Sequence, residues 1–213
     1  MGKIFFPYNL EGQIMNINKL ILGFFVFFSA TLPVAAHEAK YAAPLLGSSE
    51  VPASASPASG SVLVTIDFDL VTMRIEANFS DLLGNVTAAH IHCCIDPGSN
   101  VGVATQLPSF TGFPLGVTAG TYDHTFDMAL ASSYNPAFIT NHGGLVSTAF
   151  NDLVAGLDAG KAYFNLHTNA FPGGEIRGLL SPVPEPESYA LLLAGLGVLT
   201  IFARRNKRET AHG

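Results

Sequence analysis

The stretch Thr87–Cys94 reads Thr-Ala-Ala-His-Ile-His-Cys-Cys, and its last five positions hold four side chains able to bind a metal ion or exchange electrons. On an extended strand, side chains alternate between faces, so His90 and His92 point the same way with Ile91 opposed. Same-face neighbours stand roughly 7 Å apart, which lets two imidazoles approach one ion. A metal site needs three or four ligands. His167 is the natural third, and His124 and His142 are the other histidines that could reach. Copper or zinc is the ion such a set would hold. The competing role for these histidines is structural. A neutral imidazole has one donor and one acceptor, and carbonyls or carboxylates can satisfy both while locking loops onto a β framework. Glu175 and Arg177 lie across an expected hairpin from His167 and offer such a polar cluster.

The two cysteines of the chain are adjacent, Cys93 and Cys94. A disulfide between them closes an eight-membered ring, with Cα atoms far closer than the roughly 4.4–6.8 Å of ordinary disulfides. In an oxidising exported compartment free thiols do not persist, so the outcomes are that ring or bonds to another molecule. The ring is the first expectation. Thiolate ligation of a metal beside the histidines is the second. No catalytic residue is assigned, because the chain has no Gly-x-Ser-x-Gly, no phosphate-cradling glycine loop and no His-Glu-x-x-His. Asp67 and Asp69 share a face and mimic a carboxylate pair, but they read as a solvated strand edge.

Strands must position these groups. In Ser61–Leu70, Val62, Val64, Ile66 and Phe68 alternate with Thr65, Asp67 and Asp69, the pattern of a half-buried strand. Met73–Phe79 repeats it, with Met73, Ile75, Ala77 and Phe79 on one face, so the two form a hairpin through Leu70–Thr72. Ala162–Thr168 and Gly174–Leu180 make a second pair around the turn Asn169–Gly174. There Ala162, Phe164 and Leu166 share one face and Tyr163, Asn165 and His167 the other. A Gly/Pro-rich tract runs from Pro97 to Gly120, and Val51–Gly60 reads as a surface loop. One short helix is expected, with Ser147 as its cap and Phe150, Leu153, Val154 and Leu157 on one side. The fold class is therefore all-β, an antiparallel Greek-key-like sandwich or barrel with one short helix.

Composition bounds the rest. Hydrophobic residues make up 48% and charged residues 12% of 213 residues, with apolar tracts at both ends. His37–Ser181 holds four basic side chains (Lys40, Arg74, Lys161, Arg177) against twelve acidic ones, hence a formal charge of −8. So acidic a surface repels phosphate backbones, which excludes nucleic acid as a partner. Residues 1–36 carry Lys19, the apolar run Leu20–Phe28 and the small residues Val34-Ala35-Ala36. This is a secretory signal peptide and signal helix for signal peptidase, with cleavage after Ala36 and Met15 as a second start. Residues 182–213 carry Pro184-Glu185-Pro186, the apolar transmembrane-like helix Tyr189–Ala203, and a basic stop at Arg204, Arg205, Lys207 and Arg208. The apolar run of about fifteen residues is marginal for a bilayer core of ~30 Å.

That three-part tail resembles the PEP-CTERM sorting signal, which implies an exosortase as partner and transient anchoring in the inner membrane before cutting near Pro184–Pro186. In residues 37–181, Leu45–Asp67, Val86–His92 and Ala162–Leu180 resemble the three signatures of the CHRD domain, named after chordin. The last is the most specific, with Asn165-x-His167-Thr168 followed by Pro172-Gly173-Gly174-Glu175-Ile176-Arg177-Gly178. The resemblance implies a compact β domain of exported proteins without an established activity. It gives Cys93 and Cys94 no role, since they replace a common small residue and proline. The His-x-His strand is similar, as a motif, to one that binds copper in copper/zinc superoxide dismutases, but no second histidine cluster of that kind is present. The first expectation is thus an exported, non-enzymatic structural or binding component of the cell surface or extracellular matrix, without a cofactor. It would meet surface polysaccharide or extracellular protein. The alternative is a copper or zinc metalloprotein with superoxide-dismutase-like redox activity, ligated by His90, His92 and His167.

Overall fold

The structure, a computed structural model, describes residues 37–184, 192–197 and 199–200. The expected signal peptide at 1–36, Glu185, Pro186 and the basic residues Arg204, Arg205, Lys207 and Arg208 lie outside the described residues. Residues 192–197 and 199–200 are helical. Among the described residues no helix is long and apolar enough to cross a membrane.

Eight strands form one antiparallel sheet: β1 (Glu38–Leu46), β2 (Ser59–Asp67), β3 (Thr72–Ser80), β4 (Val86–His92), β5 (Gly120–Asp127), β6 (Tyr163–Thr168), β7 (Ile176–Leu179) and β8 (Ser181–Pro182). Their spatial order is β4-β6-β7-β1-β2-β3-β5, with β8 beside β1. Alternation in the sequence dictates which face turns inward. Val62, Val64 and Ile66 of β2 sit opposite Ala77, Ile75 and Met73 of β3, and all six are buried. The hairpin between them closes on Asp67, whose Oδ1 accepts from the Asp69 and Leu70 amides at 2.9 and 2.8 Å. Asp69 accepts from the His37 amide. The two aspartates are thus turn and terminus fasteners, not a paired acid and base.

The sheet curves into a half-barrel, and the glycine- and proline-rich tract fills its open side. β4 is an edge strand whose free N–H and C=O groups need partners. Residues 104–117 supply them: Ala104 N donates to Ile91 O, Phe110 N to Ala89 O and Gly116 N to Val86 O. Hydroxyls complete this substitute strand, with Ala89 N donating to Ser109 Oγ and Ile91 N to Thr105 Oγ1. The same tract inserts Phe110 and Phe113 between the two sheet edges. Phe110 lies 5.3 Å from Phe126 of β5 and 6.0 Å from Phe164 of β6, ring centre to ring centre.

Within residues 37–184 two α-helices are present rather than one. α1 (Pro136–Asn141) opens with Pro136 and is capped by Asn135, which accepts from Ala137 N. α2 (Val146–Asp158) buries Leu153 and Leu157, with Phe150 and Val154 packed on the core beside them. Ser147 does not cap it. The helix begins one residue earlier, and Leu145 at the cap position offers no side-chain acceptor. The exit is a Schellman pair, Lys161 N to Gly156 O and Gly160 N to Leu157 O.

Candidate metal centre

The face of the β4–β6 ladder turned away from the apolar core carries the chemistry. Register pairs His92 with Tyr163, His90 with Asn165 and Ala88 with His167. Asn165 also pairs with Arg177 on β7. Period-two alternation predicts a wet face here, yet His90, His92, Tyr163, Asn165 and Arg177 are all buried. Two connections cover them, β4–β5 and β6–β7, and three histidines fasten them. His90 Nε2 donates to Pro108 O at 2.6 Å, His92 Nδ1 to Val101 O at 2.8 Å, and His167 Nδ1 to Pro172 O at 2.9 Å. Carbonyls only accept, so each bond fixes where that ring keeps its hydrogen. The structural role expected of the histidines is thus met by one nitrogen of each ring.

The other nitrogens are left over. His90 Nδ1, His92 Nε2 and His167 Nε2 are buried and meet no hydrogen-bonding partner. The three rings surround one point, with centroids 5.3 to 5.9 Å apart. One nitrogen from each lies within 4.8 Å of the others. Around a tetrahedral zinc ion at bonds of about 2.0–2.1 Å, such nitrogens stand about 3.4 Å apart, so each ring needs to move inward by less than ~1 Å. Ligating histidines almost always donate their second N–H to a carbonyl or carboxylate, the arrangement present in all three rings. Burial, and then the neighbouring histidine charges, hold His90 and His92 down to about 4, against the pull of their carbonyl partners. Burial also lowers His167. The imidazoles are therefore neutral at ordinary pH, the form that binds metal.

His124 and His142 do not join this group. His124 sits on β5 beside Phe126, and His142 bonds Asp152 at 2.8 Å. Nor do the cysteines. Cys93 and Cys94 are joined to each other. Cys93 is buried in the apolar core, and both sulfurs press on Gly156 of α2, where a β-carbon would collide with them. Thiolate ligation is thus absent from the arrangement.

Of the residues that surround the cluster, Glu50 and Asn100 carry no sequence signal, whereas Arg177, Tyr163 and Asn165 stand where the second hairpin puts them. Arg177 Nε donates to Glu50 Oε2 at 2.7 Å, and its Nη2 donates to Asn100 Oδ1 at 2.7 Å. Its guanidinium lies 4.3 Å over the Tyr163 ring, and Tyr163 stacks on His92 at 4.8 Å. Glu50 comes from the Gly47–Ser56 loop, where nothing in its spacing marks it. Burial pushes its carboxyl above the ordinary carboxylate range, against the opposing pull of Arg177 and Asn165. Glu175 is fully buried and does not bond His167. It accepts from Ser56 Oγ, Thr168 Oγ1, Leu83 N and Gly84 N. That carboxylate ties the 51–60 loop, the 81–85 loop and β6 together.

The family model of the CHRD domain matches residues 41–180 of this chain, and that of the PEP-CTERM protein-sorting motif matches residues 182–208. No curated protein and no solved structure matches it.

Proposed function

This chain belongs to the CHRD domain family, and from that premise we propose that it is an exported surface protein whose domain binds one copper or zinc ion through His90, His92 and His167. The sorting-motif match implies processing by an exosortase and delivery to the cell surface or extracellular space after transient anchoring. The metal reading rests on one observation. The buried side-chain atoms without a partner among the described residues are Glu50 Oε1, His90 Nδ1, His92 Nε2, Asn165 Oδ1 and His167 Nε2. Four lie on the β4–β6 face and Glu50 Oε1 in the loop bonded to it. Unsatisfied buried acceptors are costly, and three imidazole nitrogens turned to one point are the donor set of a copper or zinc ion. The ion is thus the bound partner of a surface component, in place of the cofactor-free reading. Metal analysis of the purified protein tests this. Near-stoichiometric copper or zinc is expected in the wild type, and loss of it in the His90→Ala/His92→Ala protein. Equal metal in both would end the proposal.

The tail makes a separate prediction. Prolines at 184 and 186 disfavour helix, and a protease cleft takes an extended segment. Intact mass of the released protein is expected to end near Pro184–Pro186. Replacing Pro184, Glu185 and Pro186 with alanine is expected to retain the protein in the inner membrane. A released species that extends to Gly213 would contradict exosortase processing.

A further inference from the structure

We infer that the ion in this site keeps a fourth coordination position for an exchangeable water or hydroxide, which small anions displace, and that Asn165 and Glu50 accept that ligand's hydrogen bonds. The inference rests on the tri-histidine reading and goes beyond it, because it separates an open, substrate-accessible centre from a closed structural one. Structural zinc sites use four protein ligands, whereas reactive ones use three and leave a place for solvent or substrate.

Three observations carry it. First, the ligand group formed among the described residues contains His90, His92 and His167 and no fourth histidine, cysteine or carboxylate. Second, imidazole ligands bring no charge of their own, so a dication keeps its full charge in a buried site. The buried carboxylate of Glu50 is already engaged with Arg177 at 2.7 Å. A hydroxide or other small anion at the fourth position relieves that charge. Third, once three nitrogens are given to the ion, the remaining orphans are Glu50 Oε1 and Asn165 Oδ1. Both are oxygens, and both need hydrogens that only a donor such as bound water can bring. The two side chains meet beside Gly174, where Asn165 Nδ2 donates to Glu50 Oε2 at 3.3 Å. Asn165 is the cross-strand partner of His90 and lies two residues from His167, which sets its amide beside the ligands. One ion and one water would satisfy all five acceptors.

Cobalt(II)-loaded protein tests this, with cobalt stoichiometry measured on the same sample. Sodium azide is expected to change the visible cobalt spectrum saturably, and copper(II)-loaded protein is expected to show line broadening of its electron paramagnetic resonance in water enriched in oxygen-17. Asn165→Leu removes one acceptor of the bound water and is expected to tighten azide roughly tenfold. Asn165→Asp keeps an acceptor oxygen and is expected not to share that gain. Stoichiometric cobalt with a spectrum indifferent to azide, and no broadening, would overturn the open position while leaving the metal site standing. An azide affinity unchanged in Asn165→Leu would remove Asn165 from the positioning role. Failure to bind cobalt at all would overturn both readings.

Discussion

Glu175→Ala is expected to destabilise the domain by about 3–5 kcal/mol, the cost of leaving several buried donors without their shared acceptor at roughly 1–3 kcal/mol each. The carboxylate accepts from two hydroxyls and two backbone amides, at 2.6 Å from Ser56 Oγ, 2.7 Å from Thr168 Oγ1, 2.6 Å from Leu83 N and 3.2 Å from Gly84 N. Its removal strands these donors and releases three chain segments at once. For a domain of this size, thermal unfolding should fall by about 10 °C. The same residue sets an acid limit. Burial pushes its carboxyl up, but the Ser56, Thr168, Leu83 and Gly84 bonds outweigh burial and hold it below its ordinary value of 4.5. Its contribution is therefore whole above pH 4.5 and drains as pH falls through the folded value. Glu175→Gln should be less stable at neutral pH and should flatten this part of the acid dependence. A melt of Glu175→Ala within about 2 °C of wild type would contradict the clasp.

The second large effect is linkage between metal and stability. An ion that binds only the folded state stabilises it by about 2.7 kcal/mol when free ion stands at a hundred times Kd. Zinc should therefore raise the melting temperature of the wild type in a concentration-dependent way. His167→Ala should lose that response. In metal-free protein the same substitution should cost about 1 kcal/mol or less, because it removes the bond to Pro172 O but also removes a buried orphan acceptor. A purely structural histidine gives the reverse pattern, a large loss without metal and no response to zinc. Thermal scans at several zinc concentrations separate the two.

Much of the fold was legible because burial on one face leaves a period of two. β2, β3, β6 and β7 announce themselves through Val62, Val64, Ile66, Met73, Ile75, Phe79, Phe164 and Leu166. β1 does not, although Tyr41, Ala43 and Leu45 alternate and are buried. Pro44 and the small alanines around it disguise a central strand as a loop. The substitute strand along β4 was illegible for a different reason. Its partners are partly the Thr105 and Ser109 hydroxyls, and side-chain pairing leaves no periodicity. α1 had a signal in Asn135-Pro136, a cap followed by a first-turn proline.

The site divides in the same way. His90 and His92 were readable because one strand carries both. His167 stands in the second hairpin, and the separate β4–β6 pairing, which leaves no local pattern, brings it beside them. Glu50, Asn100 and the carbonyls of Val101, Pro108 and Pro172 come from loops, and loop geometry is set by tertiary contacts that local sequence does not encode. The face that covers the histidines had therefore to be seen in three dimensions.

X-ray absorption at the zinc edge of the zinc-loaded protein tests the central claim most directly. Three imidazole nitrogens at about 2.0–2.1 Å are expected, with the outer-shell scattering of histidine rings. Substituting alanine at His90, His92 and His167 together should abolish that signal. A zinc environment made only of oxygen ligands, or one unchanged by the triple substitution, would contradict it.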